Sequence, residues 1–282
     1  MSGSLSYLPM LFGGTSSGAS TGSLLATLYG YSSAATSTGQ NPVTALQSAE
    51  TDQTKGIAET AQQPAVARDV QAFRTAVGNA KDVQSLLANP TVMKVLLTAN
   101  GLSDQIPYTA LAQKALTSDP TDTKSLANKL SDTRWKSVAQ TYDFATKGLA
   151  VIQQPKVLDT IASAYAEVTW RQSLDATTPG LSNALTFRQE ASTITSADQI
   201  LGDPVMRTVV TTALGIPEEI AFQDLSAQEQ AITNRMDITK LQDPKFVESF
   251  VQRYLIAAGG TSTQSTTTDL ASLAVQAQGL VV

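Results

Sequence analysis

The stretch Leu86-Leu87-Ala88-Asn89-Pro90-Thr91-Val92-Met93-Lys94-Val95-Leu96-Leu97-Thr98-Ala99-Asn100-Gly101-Leu102 is answered further along by Ile200-Leu201-Gly202-Asp203-Pro204-Val205-Met206-Arg207-Thr208-Val209-Val210-Thr211-Thr212-Ala213-Leu214-Gly215-Ile216. Both open with an Asx residue before proline, a capping side chain followed by a first-turn residue whose missing N–H costs nothing. Both close on a glycine placed where a left-handed cap residue is wanted. Start, length and stop agree, so each stretch predicts one helix, over 90–99 and 204–213.

The correspondence extends outward at one constant offset. Phe73-Arg74 returns as Phe187-Arg188, and Val95, Ala99, Gly101 and Leu102 fall on Val209, Ala213, Gly215 and Ile216. With the offset shortened in the intervening loop, Lys129-Leu130, Asp132 and Trp135 then meet Lys240-Leu241, Asp243 and Phe246. Asp243 also precedes a proline and predicts a third capped helix start. Residues 155–177 carry Val157, Leu158, Ile161, Tyr165, Val168 and Trp170 along one apolar stripe, predicting a long helix that links the copies. Thr177-Thr178-Pro179-Gly180 interrupts it before a further helix over 181–194, and a helix over 65–77 leads into the first Phe-Arg pair. Strand alternation is nearly absent. The expected fold is all-α, two tandem copies of a multi-helix module: an uncharged tail over 1–49, a first repeat over 50–154, linking helices over 155–186, a second repeat over 187–258 and a C-terminal tail over 259–282.

At 282 residues and 42% hydrophobic content the chain can bury a real core. No apolar run approaches the roughly 18 to 20 residues that cross a bilayer, and no basic stretch precedes an apolar one at the N-terminus, so neither membrane insertion nor a cleaved secretory signal is expected. The chain has no cysteine and no histidine. Disulfides, Cys/His zinc sites, imidazole acid–base catalysis and the serine triad are closed to it. A net charge of −5, with basic residues scattered among more numerous acidic ones, argues against a nucleic-acid partner.

Residues 1–49 contain no charge, Glu50 is the first, and after Arg253 only Asp269 is charged. Both ends are rich in small polar residues and are expected to be largely disordered in isolation. Each nevertheless holds apolar residues able to fold upon a partner. Leu24, Leu25, Leu28 and Tyr29 near the start, and Leu270, Leu273, Val275 and Leu280 near the end, are the candidate interaction residues.

Candidate chemistry is sparse. Glu218 and Glu219 after Pro217 complement a helix macrodipole better than they converge on one ion. Asp119, Asp122, Asp132 and Asp143 lack the spacing, central glycine and closing glutamate of a calcium loop. Gly13-Gly14 with Gly18 lacks the lysine and preceding strand of a phosphate loop. Trp135, Trp170, Phe73, Phe144, Phe187, Phe222, Phe246 and Phe250 recur at helical spacing and are expected in the core. No catalytic, metal or cofactor-binding residue, and no cofactor, is expected.

The Phe-Arg start, the Leu-Leu-Ala-Asn-Pro and Ile-Leu-Gly-Asp-Pro openings, the Thr-Ala-Asn-Gly-Leu and Thr-Ala-Leu-Gly-Ile-Pro endings, and the Asp-Thr-Arg-Trp and Asp-Pro-Lys-Phe elements together resemble domain-of-unknown-function family twelve-seventeen, over residues 60–258. Its members are alphaproteobacterial proteins commonly encoded within flagellar gene clusters. The resemblance implies a non-enzymatic protein associated with the flagellum and motility. With the charge-free ends it leads to the expectation of a structural protein exported without a cleaved signal, whose partners are other flagellar proteins or copies of itself, with no nucleic acid, membrane insertion or small-molecule substrate. The long uncharged N-terminal tail and the Pro179-Gly180 break depart from the family's pattern, and such tails are similar to those of axial proteins that order on self-assembly. The competing readings are a cytoplasmic chaperone or regulator of flagellar assembly that binds an export substrate, and an enzyme working with Asp or Glu alone.

Overall fold

The computed structural model describes residues 41–264, with side chains to 259. Among the described residues every regular element is helical, so the protein is all-α.

Helix α1 (Pro42–Gln62) opens under Asn41, whose side chain accepts the Val43 N–H at 2.9 Å. Pro64, which cannot donate a helical hydrogen bond, separates it from α2 (Pro64–Asn79). Asp82 caps α3 (Val83–Leu87), and Asn89 caps α4 (Pro90–Ala99) through the Thr91 and Val92 N–H groups at 2.9 and 3.3 Å. A 3-10 turn at Ser103–Gln105 leads to α5 (Thr109–Leu116), followed by α6 (Leu126–Lys129), α7 (Arg134–Tyr142) and α8 (Phe144–Lys147).

Next comes the long α9 (Pro155–Leu174), broken from α10 (Leu181–Glu190) at the Thr177–Gly180 segment anticipated from its Pro-Gly pair. Beyond a 3-10 turn at Ala191–Thr193 lie α11 (Ala197–Gly202) and α12 (Pro204–Leu214), whose cap Asp203 accepts the Val205 and Met206 N–H groups at 2.7 and 3.0 Å. A 3-10 turn at Glu218–Phe222, α13 (Leu225–Thr233), another such turn at Ile238–Gln242 and α14 (Pro244–Gln264) complete the described chain.

The paired stretches close by the same device. Gly101 and Gly215 have φ of 72° and 60°, and the following Leu102 and Ile216 N–H groups reach back to the Leu97 and Thr211 carbonyls, both at 2.8 Å. With the Gly101 to Thr98 and Gly215 to Thr212 bonds, each end is a Schellman motif whose apolar following residue is buried.

Two hydrophobic cores result. One gathers Phe73, Leu87, Met93, Leu96, Leu97 and Trp135, and the other Phe187, Ile200, Val209, Phe250 and Leu255. Each also draws on distant helices. Ala45, Leu46 and Ala49 of α1 sit in the second core, while Ile161, Tyr165 and Ala166 of α9 sit in the first and Trp170, one turn on, in the second. The uncharged stretch 1–49 therefore does not stop where the body begins: its last residues are helical, and Leu46 is wholly buried.

The aromatic expectation is corrected at one position. Phe222 is 89% exposed. It ends a 3-10 turn whose threefold period sets it on the side of exposed Glu219 and leaves the inward place to Ile220, which packs on the second core. Glu218 and Glu219 accordingly start a 3-10 turn, not an α-helix.

Candidate functional site

Three polar groupings lie at the seams between helices. The first centres on Arg134 at the start of α7. Its guanidinium forks onto Asp132, with Nε to Oδ1 at 2.9 Å and Nη2 to Oδ2 at 2.6 Å, and Nη2 also reaches Asp104 at 3.2 Å while Nη1 donates to the Gly101 carbonyl. Its Nε further lies 3.6 Å from Oδ2 of Asp203. One Asp203 carboxylate thus caps α12 through one oxygen and faces Arg134 with the other, joining the two halves of the chain. The approach is close: a Cβ on Gly202 would stand 2.3 Å from the Ser131 carbonyl oxygen. Burial opposes the Arg134 charge, yet the Asp132 hydrogen bond and the fields of Asp132, Asp203 and Asp104 outweigh it and raise the guanidinium pKa. A permanently charged group held this way braces the structure and exchanges no proton.

The second grouping rims an open cleft of about 440 Å³ where α1, α9 and α10 meet, lined by Glu50, Gln53, Arg171, Leu185, Arg188 and Gln189. Buried Arg171 donates to Glu167 and Gln189, and Arg188 pairs with Glu50 of α1 and, at 3.4 Å, with Glu248 of α14. A cleft of about 460 Å³ is lined by Ala61 at the end of α1, by Val66, Ala67 and Val70 of α2 and by Ala162 and Ala166 of α9, with Arg74 and Asp159 paired at 2.7 Å on its rim. The two Phe-Arg pairs thus behave alike. Phe73 and Phe187 are fully buried, and the arginine after each reaches outward to a carboxylate on another helix beside a cleft.

The third grouping joins α2, α4 and α9. Lys94 meets Asp69 at 2.7 Å, and the Tyr165 hydroxyl donates to the same carboxylate at 2.9 Å. The Lys94 hydrogen bond holds Asp69 below its ordinary range, that same bond raises Lys94, and burial raises Tyr165.

The model of the family described as protein of unknown function (DUF1217) matches residues 99–247, more than half of the chain. The chain belongs to this family. The DUF1217 match starts at the last residue of α4 and ends within α14, so it takes in the Arg134 grouping with all three of its aspartates but begins after Phe73-Arg74 and Glu50. A crystal structure of a protein from Agrobacterium tumefaciens is similar to this DUF1217 chain, at 28% sequence identity and a TM-score of 0.65, covering 78% of this chain and 94% of that one. No curated protein matches the chain.

The candidate interaction residues Leu24, Leu25, Leu28, Tyr29, Leu270, Leu273, Val275 and Leu280 lie outside the described residues, as do Gly13, Gly14 and Gly18. Of the aspartates weighed as a calcium loop, Asp119 and Asp122 accept nearby backbone N–H groups, Asp132 holds Arg134, and Asp143 pairs with Lys147 at 3.4 Å. Among the described residues no three His, Cys, Asp or Glu side chains are grouped to hold a metal ion, and no helix is long and apolar enough to cross a membrane. Sequence reasoning missed the Arg134 grouping. Its only local signal is the Asp132-Thr133-Arg134 spacing, and Asp104 and Asp203 come from loops whose approach no periodicity announces.

Proposed function

We propose that this protein is a non-enzymatic structural component associated with the bacterial flagellum, exported without a cleaved signal, whose charge-free ends order on assembly with other flagellar proteins or further copies of the chain. The family resemblance motivates the flagellar setting. One observation carries the structural role: every charged side chain but Asp269 falls between Glu50 and Arg253, and inside that span Arg74, Arg134 and Arg188 each meet a carboxylate of another element across a helix seam. A body braced by its own charges, with ends that hold almost none, can bury those ends in a neighbour without burying ions.

Removing residues 1–40 spares Asn41 and the whole of α1, so the thermal melt of the body is expected to stay in place while assembly or export fails. Unchanged swimming and unchanged incorporation would refute the proposal. A second reading, a cytoplasmic chaperone for an export substrate, is supported by the Ala- and Val-lined cleft beside α2 and α9, an apolar lining of the kind that takes a client helix. Labelling the internal loop at Asp119-Pro120 and fractionating cells separates the two. Label in the flagellar fraction supports the first reading, and label in the cytosol with one co-purifying export substrate supports the second.

A further inference from the structure

From Pro217 to Ser226 only Ile220 turns inward, and the segment presents Phe222 at 89% and Leu225 at 56% exposure. A single exposed apolar side chain is ordinary, but large apolar side chains exposed close together mark interaction surfaces. Around them stand Glu218 and Glu219 on the 3-10 turn, Asp224 at the α13 cap, Glu229 within α13 and Asp198 on the adjoining α11. Among the described residues none of these five carboxylates has a basic side chain within ion-pair distance. Asp198 lies on the helix packed beside that of Glu229, and its nearby carboxylate raises the Glu229 pKa. The corresponding part of the first half also exposes an aromatic, Tyr108 at 60%, but its single acid Asp104 is taken by Arg134 and Lys114 lies nearby in sequence. The acidic ring belongs to the second half alone.

We propose that the surface formed by Phe222 and Leu225 within this ring docks a basic amphipathic helix of another protein, whose apolar face covers Phe222 and Leu225 and whose Lys and Arg residues meet Glu218, Glu219, Asp224, Glu229 and Asp198. Charge complementarity selects the occupant. Residues 1–49 and 254–282 contain no lysine or arginine to answer five carboxylates, and a second copy carries a net charge of −5. The partner is therefore a different, positively charged chain. This inference goes beyond the flagellar reading and does not depend on where the protein works.

The test is calorimetric titration of the full chain with a synthetic Leu/Lys peptide of about 18 residues at helical spacing, beside versions with Lys replaced by Glu and with Leu replaced by Ser. The first peptide is expected to bind and the other two to fail. Phe222→Ser with Leu225→Ser, and separately Glu218→Gln with Glu219→Gln, are each expected to weaken binding at least about tenfold with the melting temperature unchanged, while Tyr108→Ser leaves binding intact. Undiminished binding by the Phe222/Leu225 variant, equal loss with Tyr108→Ser, or self-association of the full chain that Phe222→Ser abolishes would each overturn the proposal, the last by assigning the surface to a second copy.

Discussion

At the scale of single residues, Gly56 shows how tightly the helices are fitted. It lies inside α1, where alanine would favour the helix by about 1 kcal/mol. Yet a Cβ there would stand 2.2 Å from Nε1 of Trp170, which α9 places against it. The steric term decides the sign: forcing an extra atom into packed surroundings costs about 1 to 3 kcal/mol. Gly56→Ala is therefore expected to lower the midpoint of chemical denaturation despite its better propensity, whereas Gly78→Ala, with nothing within 4 Å of the added atom, is expected to raise it or leave it unchanged. Nothing in the sequence distinguished these two glycines. Each sits within a helical pattern, and only the crossing of α1 and α9 gives one of them a neighbour.

Among the elements, the paired capped helices make a matched comparison. Asn89 and Asp203 do the same local work, each accepting two N–H groups at the start of its helix. Removing such a cap costs about 1 kcal/mol. Asp203 carries a further duty, since its other oxygen faces Arg134 across the seam and the residue is only 6% exposed. Asp203→Ala is thus expected to destabilise more than Asn89→Ala in equilibrium denaturation. In a double-mutant cycle Arg134→Met should couple to Asp203→Ala and not to Asn89→Ala. The helices themselves were legible from residues alone: the Asx-Pro starts, the glycine stops and the Pro179-Gly180 break all fall where the structure has them, because they encode local hydrogen-bond geometry. The Arg134 grouping and the exposure of Phe222 were not, because the first is assembled from loops far apart in sequence and the second turns on a 3-10 period that an apolar count reads as helix.

For the whole molecule, pH acts through the Asp69, Lys94 and Tyr165 grouping that ties α2, α4 and α9 together. Asp69 titrates below its ordinary 3.8 because Lys94 hydrogen-bonds to it, so its contribution is fully present above that value and is lost as acid protonates the folded form. Asp82 and Asp237, held low chiefly by hydrogen bonds from Ser85 and Thr239, act in the same direction. Lys94 titrates above its ordinary 10.5, so its contribution is present below that value and is lost as pH rises through the folded pKa. Tyr165, raised above 10.0 by burial, resists ionisation in the fold and adds to the alkaline loss. Denaturation midpoints followed against pH are expected to fall at both extremes, and Lys94→Gln should flatten the acid limb by releasing Asp69 toward its ordinary value. An acid limb equally steep in that variant would show that the pair does not contribute.

The crossing-over of α1 and α9 between the two cores also bears on how the chain comes apart. Severed near Gln154, the polypeptide would leave one fragment without Ile161, Tyr165 and Ala166 and the other without Ala45, Leu46 and Ala49, so neither would possess a finished interior. Likeness between two stretches of sequence does not give either half an interior of its own here. A single cooperative transition, seen as one calorimetric peak for both cores, is the expected outcome.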